Sequence, residues 1–157
     1  MSSSDDFEAK QIRHFIYVVQ PVGKPMYAVM TIYWETDAIN AVGQIWTLEE
    51  LPDGNVSYQP ILNNNDDLAS LWCSPEGDIW AGSCDGHVWT TADVDWDAST
   101  IEGMQTTQSD PHFQWKGTEA IRDPDDIPYN IAAIWGSSDQ DVFFGTFAGA
   151  ILHWDGA

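Results

Sequence analysis

The segment Leu68-Ala69-Ser70-Leu71-Trp72-Cys73-Ser74 recurs 63 residues later as Ile131-Ala132-Ala133-Ile134-Trp135-Gly136-Ser137. The correspondence runs on without a gap. Asp78-Ile79-Trp80-Ala81-Gly82 aligns with Asp141-Val142-Phe143-Phe144-Gly145, and Gly86-His87-Val88 with Gly149-Ala150-Ile151. Only six of 24 positions are identical, so the repeat is carried by apolar class rather than by identity. A repeat of fixed period constrains architecture more than any other sequence feature, because each copy must build the same unit. The unit reads as an apolar strand ending in Trp, a Ser/Pro/Asp/Gly turn, a second strand opening on Asp, a turn Gly and a third strand. That is a three-stranded antiparallel meander.

Between the copies, residues 92–130 are loop-rich, with His112-Phe113-Gln114-Trp115 as a candidate outer fourth strand. Ahead of them, residues 1–11 form a polar leader. Phe15–Val19, Met26–Trp34, Ala41–Leu48 and Val56–Ile61 are strands by β-branched and aromatic content. Gln20-Pro21-Val22-Gly23-Lys24-Pro25 reads as a turn, because a central strand rejects proline, and Leu51-Pro52-Asp53-Gly54-Asn55 as another. No useful window has helical periodicity; a single helical turn fits only near Thr118–Ile121.

The run Ala133-Ile134-Trp135-Gly136-Ser137-Ser138-Asp139-Gln140-Asp141-Val142-Phe143, followed by Gly149-Ala150-Ile151-Leu152-His153-Trp154-Asp155-Gly156, resembles a bacterial β-propeller repeat. That family's pattern is W-G-S-S, two variable residues, D-V-F/W, then G-x-I-x-H-W-D-G. The first copy, with Leu71-Trp72-Cys73-Ser74 and Gly77-Asp78-Ile79-Trp80, matches more loosely. The resemblance spans about residues 66–157 and implies an all-β fold of propeller-like blades of antiparallel strands, as a partial or oligomer-completed ring. The expected organisation is a leader (1–11) and one domain (12–157). That domain divides into a divergent first blade (12–65), a second (66–128) and an incomplete third (129–157). Closed propellers use four or more blades. Three closures therefore stand open: Phe15–Val19 supplies the outer strand of the last blade, two chains complete a ring, or the sheets remain an open stack.

Charge narrows the partners. The chain has 25 acids and five bases, a formal charge of −20. Residues 1–24 are neutral, so the whole excess lies in residues 25–157. Such a field repels nucleic acid and anionic membranes and attracts basic proteins. No stretch approaches the roughly 18 apolar residues of a membrane span. Met-Ser-Ser-Ser-Asp-Asp lacks the features of a signal peptide, which predicts a cytoplasmic protein. Cys73 and Cys84 read as free, largely buried thiols.

Motifs for chemistry are sparse. Asp93-Val94-Asp95-Trp96-Asp97 has the alternating carboxylates that open a calcium loop. Ala98 and Met104, however, stand where that loop needs Gly and Glu, so a solvated acidic loop is expected and no metal. Asp123, Asp125 and Asp126 form a second acidic cluster. His14, His87, His112 and His153 have no zinc spacing, and His153 belongs to the repeat pattern. No nucleophile elbow, phosphate loop or zincin motif occurs, so the chain reads as a binding module without enzyme activity or cofactor. Trp72, Trp80, Trp135 and Phe143 are expected in the core. Trp96 and Trp115, in the inter-repeat insertion, are the candidate contact aromatics. The expected function is to mask a basic protein, as an immunity protein masks a nuclease-type toxin. The contact surface would comprise Asp93, Asp95, Trp96, Asp97, Trp115, Asp123, Asp125 and Asp126. Self-association is a further expectation, and a scaffold or lectin-like module binding peptide or glycan is the alternative.

Overall fold

The computed structural model describes residues 13–23, 26–34, 42–64, 67–94 and 116–156. These form three antiparallel sheets and, among the described residues, no helix. The first sheet is β1 (Arg13–Gly23), β2 (Met26–Trp34), β3 (Val42–Glu50) and β4 (Val56–Asn64), in that order. The middle sheet is β5 (Leu68–Cys73), β6 (Ile79–Ser83), β7 (Val88–Thr90) and β8 (Lys116–Gly117). The last is β9 (Ile131–Ser138), β10 (Asp141–Thr146) and β11 (Ile151–Trp154). Strand β5 lies against β1 on one side and β9 on the other, so the middle sheet is packed on both faces.

Three expectations change. Phe15–Val19 belongs to β1 and pairs with β2, so it does not supply the outer strand of the last sheet. Pro21 lies within β1 rather than in a turn. An edge strand tolerates it because one side of the strand has no ladder to lose, and the register shifts between Pro21 and Gly23. Thr118–Ile121 has no helical turn. His112–Trp115, the candidate fourth strand, lies outside the described residues, and β8 follows it directly.

The two repeats have the same register, residue for residue. Trp72 pairs with Trp80 as Trp135 does with Phe143, and Trp80 pairs with Thr90 as Phe143 does with His153. Each first strand carries an irregularity at the same place, after Leu68 and after Ile131. The second hairpin turns also coincide. The Ser83 N–H donates to the His87 carbonyl and the Thr146 N–H to the Ala150 carbonyl, both at 2.9 Å. Gly86 and Gly149 take φ of 87° and 86°, a conformation nearly reserved for glycine.

What differs between the copies is burial. Every residue of β6 is buried, whereas β10 alternates half-buried and buried. Successive strand residues point to opposite faces, so a strand covered on both sides reads as continuously apolar and one covered on a single side alternates. One core joins the first and middle sheets, through Ala28, Ile45, Ile61 and Leu62 against Leu68, Leu71, Ile79, Ala81 and Trp89. The other joins the middle and last sheets, through Trp72, Trp80 and Val88 against Ile131, Ile134, Val142 and Phe144. Trp80 lies at the centre of the second core, with ring centroids 6.4 Å from Trp72 and 6.1 Å from Phe144.

Candidate functional surface

The acids singled out in the sequence fall into separate settings. Asp93 is exposed, and its Oδ1 accepts from Lys116 Nζ at 2.6 Å; the same ammonium donates to the Val94 carbonyl. That hydrogen bond, with the Lys116 charge, holds the Asp93 carboxyl below the usual carboxylate range. Asp123 organises a turn. Its Oδ1 accepts from the backbone N–H of Asp125 and of Ile127, both at 2.9 Å. Asp123 therefore acts first as a local cap, and Asp125 and Asp126 are the exposed members of that cluster. Asp126 has φ 66°. Its carbonyl accepts from Arg122 Nη1 at 2.7 Å, and its carboxylate lies 3.7 Å from Arg122 Nε. Asp95, Trp96, Asp97 and Trp115 lie outside the described residues.

Each of the two clusters thus engages its own cation. Exposed acids also spread well beyond them, with Glu49, Glu50 and Asp53 on the first sheet's side, Glu76 and Asp85 on the middle, and Asp155 on the last. Among the described residues the negative charge is therefore spread over all three sheets rather than gathered at one focus. Among the described residues no group of three or more His, Cys, Asp or Glu could hold a metal ion. No described helix is long and apolar enough to cross a membrane.

Two polar constellations were not legible in the sequence. Asp139, in the β9–β10 turn, reaches across to the middle sheet. There it accepts from Trp80 Nε1 at 2.7 Å and from Ser74 Oγ at 3.0 Å. Burial pushes its carboxyl above the ordinary value and neighbouring Asp78 adds to this, while the two hydrogen bonds pull it back. Asp141 accepts from the Ser137 hydroxyl and lies 2.8 Å from His153 Nε2. Ser, Asp and His are gathered here, but the carboxylate stands between hydroxyl and imidazole. The His cannot take the Ser proton directly, so this is not the order of a nucleophilic triad. Burial raises the free thiols of Cys73 and Cys84 to about 12 and about 11, Cys84 also under the charge of Asp67, which leaves both poor nucleophiles near neutrality.

A cleft of about 320 Å³ lies between the middle and last sheets, lined by Val88, Thr118, Ile121, Phe144, Leu152, His153 and Trp154. The lining is mainly apolar, and Thr118 Oγ1 already accepts from the Val88 N–H. No set of polar groups converges there as a catalytic pocket requires.

The largest departure from expectation is an aromatic surface. Trp135, expected in the core, is 62% exposed, whereas Trp72 at the same repeat position is 8% exposed. Phe143 is half-buried where Trp80 is fully buried. Trp135, Phe143 and His153 form a ladder across the outer face of the last sheet. Its centroid separations are 6.1 and 4.2 Å, and the second pair is stacked with ring planes nearly parallel, at 5°. Ile151, 75% exposed, lies beside it. No protein-family model and no curated protein matches the chain.

Proposed function

We propose that this chain is a propeller-type binding module without enzyme activity, and that its function is to capture and neutralise a basic protein. The propeller reading is supported by two units of equal register stacked face to face, each built as a meander. The functional reading rests on one observation: a formal charge of −20, with exposed acids among the described residues of all three sheets and no surplus of cations to offset them. Lys116 and Arg122, the only Lys or Arg with a described side chain, are each already engaged with an aspartate. The remaining field is directed to solvent. Such a field accelerates encounter with a positively charged partner and disfavours anionic ones. Inhibition of a nuclease-type toxin, whose phosphate-gripping surface is basic, is the specific form of this function. Exposed Asp125 and Asp126 would stand in for phosphates.

The experiment is affinity capture on the immobilised chain, followed by association kinetics with the captured protein. The expected partner is basic, and its on-rate falls steeply between about 0.05 and 0.5 M salt as the Debye length shortens. Asp125→Asn with Asp126→Asn should slow association further. Capture of no basic protein, or binding indifferent to salt, refutes the reading.

A further inference from the structure

We propose that the exposed aromatic face of the last sheet docks on the outer face of the first sheet of a second copy, so that two chains close a ring of six sheets. The docking stands on its own observations; the closed ring rests also on the propeller reading above.

The molecule contains a template for the contact. Trp72, Trp80 and Val88 are 8%, 0% and 0% exposed because the last sheet covers that face of the middle one. Their equivalents Trp135, Phe143 and Ile151 have the same register and the same apolar character, but none of the other described sheets lies above them. Glycine shows the same asymmetry. A Cβ on Gly82 would come 2.5 Å from Ile131 Cγ2, on the covering strand β9. At the equivalent Gly145 the nearest atom would be Ala133 Cβ at 3.5 Å, within its own sheet. The last sheet is thus shaped for a neighbour at the distance the middle sheet has one.

A second copy carries a suitable partner face. On β3, Gly43, Ile45 and Thr47 are buried on the side of the middle sheet, which turns Trp46 and Leu48 outward. Register places Tyr27 and Tyr58 beside Leu48 on that outer face, and Val56 opposite Glu50. Trp46 and Tyr58 touch, with centroids 6.2 Å apart, and Tyr58 and Val56 are 72% and 56% exposed. Both ends of the stack therefore expose aromatic and branched side chains, as interface centres do. A head-to-tail contact made twice about a two-fold axis covers all four exposed faces. Six sheets fall within the usual range for closed propellers.

Light scattering on the full chain tests this. The expected mass is twice 17.5 kDa. Because both copies are strongly negative, added sodium chloride should strengthen the pair, the reverse of its effect on a basic partner. Trp135→Glu and Tyr58→Glu should each return the mass to 17.5 kDa with an unchanged circular dichroism spectrum. An equimolar mixture of the two should associate more tightly than either alone, because one seam then has both faces intact. Gly145→Ala should fold normally and weaken association roughly tenfold through overpacking at the seam. A mass of 17.5 kDa at every salt concentration and up to about 100 µM protein overturns the proposal. So does a mixture that fails to re-associate, since a face-to-face contact would behave that way. A ladder of larger masses overturns the closed ring in favour of an open filament.

Discussion

Asp139 ties two sheets together through a buried indole, and it does so with a charge that burial disfavours. Its carboxylate accepts from Trp80 Nε1 and Ser74 Oγ, both on the middle sheet's side of the seam. Desolvation raises its pKa most; the two hydrogen bonds lower it, and Asp78 raises it again. The net direction is upward, so the folded chain holds the Asp139 proton more tightly than the unfolded chain does. The ionised form then costs stability above the folded pKa, and that cost is relieved as pH falls through it. Asp139→Asn keeps an oxygen for the Trp80 N–H and removes the charge. In urea unfolding it should equal or exceed the parent at pH 7, with the difference disappearing toward acid pH. Asp139→Ala removes the acceptor as well and should cost about 1–3 kcal/mol. A variant ranking independent of pH would refute this account of the seam. Asp141 has the opposite sign. The Ser137 hydroxyl, then His153, holds its pKa down. Its contribution is present above the ordinary carboxylate pKa and is lost as pH falls through the depressed one.

Two hairpins of identical register, one covered and one bare, separate what a strand encodes from what its neighbour imposes. Gly82→Ala places a methyl group against Ile131 and the Ser70 hydroxyl. Ser70 Oγ already donates to the Ile131 carbonyl at 2.7 Å, so neither side can yield freely. This substitution should cost about 1–3 kcal/mol by overpacking. Gly145→Ala meets only ordinary contacts and should leave the isolated chain within about 0.5 kcal/mol of the parent. Denaturation midpoints of the pair decide the matter, and equal losses would mean that coverage is not the cause. The same comparison explains what the sequence could convey. The repeat and its turns were readable because they are local. The exposure of Trp135 was not, because a strand's sequence does not say whether another sheet lies above it. Pro21 misled for a related reason: whether a strand is at an edge is a fact of topology. At the candidate surface, Asp123-Pro124-Asp125 carried an Asx-turn signal beneath its acidity. The Trp80–Asp139 bond joins positions 59 residues apart, beyond any local pattern.

At the scale of the whole molecule, charge acts on the fold itself as well as on its partners. Exposed carboxylates on all three sheets repel one another more strongly in the compact state than in the expanded one, so part of the stability conferred by the two cores is offset. Unlike a hydrophobic core, this repulsion is removable by ions. The Debye length falls from about 30 Å at 0.01 M salt to about 10 Å at 0.1 M, and is near 3 Å at 1 M. Adding sodium chloride should therefore raise the unfolding temperature of a chain held associated or dissociated throughout, for example the Trp135→Glu variant. A gain on the order of 1 kcal/mol corresponds to about 2–4 °C at this chain length. Most of the rise should come below about 0.2 M, where screening changes fastest. A cosolute effect would instead grow steadily with concentration, and potassium chloride should match sodium chloride if charge screening is the cause. An unfolding temperature flat across that range would show that the acids are already neutralised within the fold. The field invoked for capturing a basic partner would then not exist, whatever the sequence count.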